Sequence, residues 1–260
     1  MPDRFMHTSS KLRIFLSILI ISSFFCILTT QAAHASGQKV FVLCYHSFLG
    51  NKFPSDITLD ELRTQLDYLK DKGFGFVSYS DLLKGNVKGR KNIMIVIDDG
   101  NHSVIKAYKE ILKPRGIKPM LAIYPNIISR KNYAMTWEQL KELSKDGCDI
   151  ASHGYYHELM NRKFYDRDPK EFTHEITGPR ETLEKNLGVK VNAFVYPNGV
   201  RADITKKILK DSGYSYAFTI NWGPVLSPLS LNKDPLELPR HMVLKGNWNM
   251  IASTIVKAAQ

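Results

Sequence analysis

The stretch NIMIVIDDGNHSVIKAYKEILKPRGIKPMLAIY (residues 92–124) contains one complete strand–helix–strand unit and two adjacent carboxylates. Ile93–Ile97 is an unbroken apolar run of the length a buried strand needs. The segment 103–116 then reads as a helix stopped by Gly116, and 118–124 reads as a second strand. Connections of this kind join parallel strands, so the unit points to an α/β fold. Worked outward, the same cycle recurs. VFVLCY (40–45) is a strand, and TLDELRTQLDYLKDKG (58–73) is a helix with a Thr58–Glu61 capping box. Its residues Leu62, Leu66 and Leu69 share one face, and Gly73 ends it.

TWEQLKELSKDG (136–147) repeats the pattern with Thr136 and Gln139, and CDIAS (148–152) follows as a strand. A long helix is expected near 169–188, with Pro169 in its first turn, then NAFVY, ADITKKILKDSG and YSYAFTI. Five helices end in glycine (Gly73, Gly116, Gly147, Gly188, Gly213), each followed by a strand-like run. With about seven strands and no long linker, residues 39–260 read as a single domain. A closed or nearly closed barrel fits better than a doubly wound sheet, because no glycine-rich dinucleotide fingerprint follows the first strand.

Residues 1–35 follow a different logic. Lys11 and Arg13 precede a 15-residue apolar run (14–28), and Ala33-His34-Ala35 is a small-residue cleavage pattern. The run is shorter than the ~20 residues of a spanning helix. We therefore expect a secretory signal peptide over 1–35 and an exported, periplasmic, envelope or extracellular product. An uncleaved anchor is the alternative. Cys26 falls inside that signal, and the remaining Cys44 and Cys148 read as separate buried thiols. The net charge of +11 suits long-range attraction to anionic envelope polymers, or plain solubility. No run of lysine and arginine interleaved with aromatics suggests nucleic acid.

In parallel α/β folds functional groups collect beyond the carboxyl ends of strands. Those positions hold Tyr45-His46, Asp98-Asp99, His153 and His157, Tyr196-Pro197-Asn198-Gly199, Trp222, and Arg240-His241. Two neighbouring carboxylates repel, and burying them unpaired is costly, so a cation is expected beside them. SHGYYH (152–157) supplies histidines four apart, which on one helical turn point the same way and bind one ion through neutral imidazoles. With a carboxylate from another strand end they make a two-histidine, one-carboxylate site. One aspartate is then a ligand. The other is free to act as a base, since successive strand side chains diverge. The bland alternative for Asp98-Asp99-Gly100 is a turn capping the next helix.

VIDDG, SHGYYH and YPNG resemble, in order, the first three motifs of the NodB-type polysaccharide deacetylases (carbohydrate esterase family 4). CYHSF with LRTQLDYLKDKGF is similar to the opening of the subgroup acting on poly-N-acetylglucosamine, and LPRHMV continues the match. The resemblance implies a distorted (β/α)7-type barrel and removal of N-acetyl groups from an N-acetylglucosamine-containing exopolysaccharide or peptidoglycan. It implies Asp98 as general base and a divalent metal, zinc most often, on Asp99, His153 and His157. Near Asn198 a backbone N–H is implied to hold the oxyanion. Tyr196, Pro197, Asn198, Trp222, His46 and Arg240 are the expected substrate contacts, with Arg240 also able to orient Asp98. His241 is the expected general acid and His46 its rival. Gly154 stands where the family has serine or threonine, so a loop-bracing hydrogen bond is lost. Two other classes fit less well. A glycosidase needs two carboxyls ~5–9.5 Å apart across the bond, and a sugar-binding protein could keep the fold without turnover.

Overall fold

The computed structural model describes residues 37–51 and 53–260, so the expected signal peptide lies outside the described residues. Residues Gln38–Gln260 form one compact unit. Its strands are β1 (Gln38–Tyr45), β2 (Gly75–Phe76), β3 (Asn92–Asp99), β4 (Met120–Ile123), β5 (Asp149–Ser152), β6 (Ala193–Val195), β7 (Tyr216–Phe218), β8 (Pro224–Ser227) and β9 (His241–Met242). The helices are α1 (Leu59–Asp71), α2 (Tyr79–Lys84), α3 (Ser103–Ala107), α4 (Trp137–Lys145), α5 (Arg162–Arg167), α6 (Pro169–Leu187), α7 (Asp203–Asp211) and α8 (Trp248–Ala258).

The strands form a curled α/β sheet in the order β7-β6-β5-β4-β3-β1-β8, parallel except for β8, which runs antiparallel along β1. The curl is a distorted barrel. Its gap between β7 and β1 is crossed by the segment 235–243: Leu238 bridges Phe218, and β9 pairs with Leu43 and Cys44 of β1. Nothing in the sequence pattern marks that segment as a strand. It pairs for a few residues at each side and is otherwise irregular.

Local chemistry explains the boundaries. Thr58 and Thr136 cap α1 and α4 through reciprocal capping boxes with Glu61 and Gln139, and Asp168 caps α6 ahead of Pro169. The expected helix over 103–116 is broken differently: α3 gives way to a π-helical turn (Tyr108–Leu112) and a 3-10 turn carrying Pro114.

Strand alternation divides the core into two layers. Phe41, Leu43 and Tyr45 of β1 and Ile93, Ile95 and Ile97 of β3 pack outward against the helices. Val40, Val42, Met94, Val96, Ala122, Ala151 and Val195 fill the inside of the curl. Full burial of one such side chain contributes about 1.5–3 kcal/mol. The same parity that sends Met94 and Val96 inward sends Asp98 inward at the mouth of the barrel. Tyr79 of α2 closes the opposite end, its hydroxyl donating to Asn192 Oδ1 at 2.9 Å.

Candidate active site

Asp98 sits at the carboxyl end of β3 with 2% exposure. Its partners come from distant strands. Arg240 Nη1 donates to both carboxylate oxygens, at 2.8 and 3.0 Å, and the Cys44 thiol donates to Oδ2 at 3.2 Å. Burial alone would raise the Asp98 carboxyl, but Arg240, His153 and His46 hold it well below the usual carboxylate range. It is therefore ionised at neutral pH. Burial pushes the Cys44 thiol well up, so it stays a proton donor to that carboxylate.

Asp99 points elsewhere because its backbone enters the left-handed region (φ 75°), an unfavourable conformation for a residue with a Cβ. Asp99 Oδ1 lies 3.6 Å from His153 Nε2 and 3.5 Å from His157 Nε2. Those separations are too long for hydrogen bonds. They suit ligand atoms that each sit ~2.1 Å from one shared zinc-sized ion. Asp99 Oδ1 is also buried with no hydrogen-bond partner. An anionic oxygen in that state calls for a cation.

The histidines are prepared for the same task. His153 Nδ1 is 2.8 Å from the Val195 carbonyl, which can only accept, so Nδ1 carries the proton and Nε2 offers its lone pair. Burial lowers the His153 pKa to about 4, against the pull of Asp98, and the ring is neutral. The residues present fit a divalent cation. The route to this geometry corrects the sequence reading, however. In SHGYYH, Ser152 ends β5 and the residues from His153 to His157 form an irregular loop, not a helical turn. Gly154 (φ 77°) and His157 (φ 66°) both adopt left-handed backbone, and that bend, rather than helical spacing, brings the two imidazoles to centroids 4.7 Å apart.

A cavity of about 190 Å³ opens onto Asp99, lined among others by His46, Phe53, Asn101, Tyr124 and Tyr133. A larger open groove, about 870 Å³, lies beyond Phe48, His102 and Lys106 and contains none of Asp98, Asp99, His153 or His157. The chemistry belongs to the smaller one. His46 lines it, with Nδ1 buried and unpartnered.

Four expected site residues are placed differently from the sequence reading. His241 is 1% exposed, wedged between Phe41 and Trp222 with ring centroids 6.2 and 5.1 Å away, and does not line the cavity that opens onto Asp99. Burial also lowers its pKa. Arg240 is equally buried and serves Asp98, not substrate. Tyr196 is fully buried with its hydroxyl donating to the Leu236 carbonyl at 3.0 Å, and Pro197 is buried beside it. Asn198 (φ 53°) and Trp222 remain exposed.

The family model for polysaccharide deacetylases matches residues 85–217, which carry Asp98, Asp99, His153 and His157. The chain belongs to the polysaccharide deacetylase family. Among relatives of this chain, the Bacillus subtilis protein YxkH is 24% identical over 190 residues, covering 71% of this chain and 66% of YxkH. The poly-beta-1,6-N-acetyl-D-glucosamine N-deacetylase of Staphylococcus aureus is 21% identical over 176 residues, covering 63% of this chain and 61% of its own length. The chain thus spans somewhat less than two thirds of these curated relatives. The structure of IcaB from Ammonifex degensii superposes with a TM-score of 0.73 at 27% identity, covering 85% of this chain and 98% of that one. Streptococcus pyogenes deacetylase PplD, solved with acetate, shares the fold (TM-score 0.70, 22% identity, 85% and 99% covered).

Sequence reasoning missed several residues of this site. Tyr124, Phe53 and Tyr133 come from loops whose approach no periodicity signals. Cys44 was legible only as a strand residue. Glu175 had a signal. It interrupts the apolar face formed by Phe172, Ile176, Pro179 and Leu183 on α6, and an acid on a buried face asks for a partner.

Proposed function

We propose that this chain removes N-acetyl groups from N-acetylglucosamine-containing polysaccharide, with a divalent cation, zinc the first candidate, held by Asp99, His153 and His157. One observation carries the reading: an unpartnered, buried Asp99 oxygen faces two imidazole Nε2 atoms at 3.5–3.6 Å, next to an ionised Asp98. A cation in that position supplies Lewis acidity, lowering the pKa of a water toward ~7 and polarising an acyl carbonyl.

The chain's own residues do the rest. Asp98 Oδ2 lies 3.7 Å from His153 Nε2, so the base adjoins the ligand cluster and takes a proton from the attacking water. Arg240 and Cys44 fix that carboxylate in its charged form. His46, which lines the cavity where His241 does not, returns a proton to the leaving amine. The exposed Trp222 and the cavity-lining Phe53 and Tyr133 offer flat apolar faces for sugar rings. The named activity of the Staphylococcus aureus relative supports poly-N-acetylglucosamine as the first polymer to try. The order of charge, apolar run and small residues in 1–35 supports export.

The test is acetate release from poly-N-acetylglucosamine, peptidoglycan glycan strands and chitooligosaccharides, with and without chelator. We expect acetate and free amines from at least one polymer, abolished by chelator and restored by zinc. New reducing ends would point to glycoside cleavage instead. Sugar and metal binding without acetate would point to a binding protein.

A further inference from the structure

The loop that presents His157 is held from beneath by one side chain of α6. Glu175 is fully buried. Its carboxylate accepts the Tyr156 N–H on both oxygens, at 3.0 and 2.9 Å, and the Glu158 N–H at 2.8 Å. It therefore grips the peptide N–H on each side of His157. No cation pairs with it among the described residues, so these amide hydrogens are what offsets its burial.

A second observation bears on the same grip. His157 sits at φ 66°, a region that side-chain-bearing residues occupy at a cost, and such a residue stays there only when its surroundings over-determine it. A third concerns Gly154. A Cβ there would lie 2.6 Å from Glu175 Oε1 and 3.3 Å from Pro197 Cγ, with φ at 77°. The space a side chain would occupy at position 154 is filled by the carboxylate. The glycine and the glutamate form one device: the first clears room for the second, and the second braces the loop.

We infer that Glu175 is a positioning residue that sets the metal affinity of the site by holding His157 in its ligating orientation, and that Gly154 is what admits it. The inference rests on the proposed role of Asp99, His153 and His157 as ligands. Outer partners of metal ligands typically alter affinity about 10–100-fold.

The test uses chelator-stripped full chain titrated with Co2+ at neutral pH, read by its visible d–d absorption, well below each protein's thermal midpoint. We expect Glu175→Gln to keep the parent's far-ultraviolet circular dichroism while binding Co2+ about 10–100-fold more weakly, with an altered band shape. Gly154→Ala, which presses on the carboxylate, should weaken binding in the same direction. Glu175→Asp, with its acceptors drawn back one methylene, replaces the glutamine variant should that one not fold. Folded variants that bind Co2+ within twofold of the parent, with the parent's spectrum, overturn the inference. So does failure of all three to fold, since Glu175 would then be a general stability residue. A parent chain that binds no Co2+ overturns the metal reading itself, and that appears in the parent arm before any variant is made.

Discussion

Arg240→Met is the perturbation from which the structure yields the largest number. Arg240 and Asp98 are 1% and 2% exposed, and one guanidinium nitrogen reaches both carboxylate oxygens. The Arg240 Nε also donates to the buried Thr219 carbonyl at 2.9 Å. Methionine fills much of the volume but removes the charge and both donors. Stranding one partner of a buried ion pair costs about 3–5 kcal/mol. The unanswered Thr219 carbonyl adds about 1 kcal/mol. A loss of about 4–6 kcal/mol is a large share of the ~5–15 kcal/mol that holds a typical domain together. Urea unfolding in the presence of chelator measures it without interference from a bound ion.

The pH dependence of that loss is a sharper check. In the parent the Asp98 carboxyl lies well below its unfolded value of ~3.9, so its contribution is present above about pH 4 and fades as pH falls through the folded value. In the variant, burial without the guanidinium drives the carboxyl upward, and the folded state takes up a proton on acidification. The penalty should therefore be greatest at neutral pH and shrink toward about pH 5. Replacing the stranded anion as well, in Asp98→Asn with Arg240→Met, should recover on the order of 2–3 kcal/mol relative to the sum of the single losses. A penalty under about 1 kcal/mol that does not vary with pH, or strict additivity in the double variant, would refute the pairing argument.

Asp98→Asn should lower acetate release by about 10²–10⁴-fold with zinc binding retained; activity within tenfold of the parent removes Asp98 as base. His153→Ala should abolish the Co2+ spectrum and acetate release together, whereas His241→Ala, aimed at a buried ring, should lower the thermal midpoint and leave the pH–rate profile in place. Gly199→Ala would set a Cβ 2.5 Å from Ile220 Cγ1 at φ 68°, and we expect a loss of about 1–3 kcal/mol in thermal unfolding. Hydrogen bonds from Arg201 and Lys206 draw the Glu237 carboxyl down to about 2. Its contribution is complete above the unfolded value of ~4.3 and is lost as pH falls toward 2, so Glu237→Gln should flatten the acid limb of stability by on the order of 1 kcal/mol after screening, and an unchanged limb contradicts it.

Much of the fold was legible because it is written in local chemistry. Thr58 with Glu61 and Thr136 with Gln139 are reciprocal caps within four residues, so they read the same in sequence and in space. The cluster of Asp99, His153 and His157 was legible for another reason. Asp99, His153 and His157 follow strand ends, and parallel strands deliver their carboxyl ends to one rim. The shape of SHGYYH was not legible, because its bend is imposed by Glu175, which lies 18 residues after His157. His241 misled for a similar reason. It lies in the last apolar segment, but that segment forms the barrel seam, where the ring is covered by Phe41 and Trp222.

Composition, apolar periodicity and helix-end residues were sufficient to establish an α/β barrel-like fold and to bring two histidines and an acidic pair to one end of it, because those signals act over a few residues at a time. Tertiary structure alone decided that Arg240 serves Asp98, that His46 and not His241 faces the cavity, and that Glu175 braces the histidine loop. Each of those depends on segments far apart in the chain meeting in a dry interior, where a charge must find its partner wherever the packing puts one.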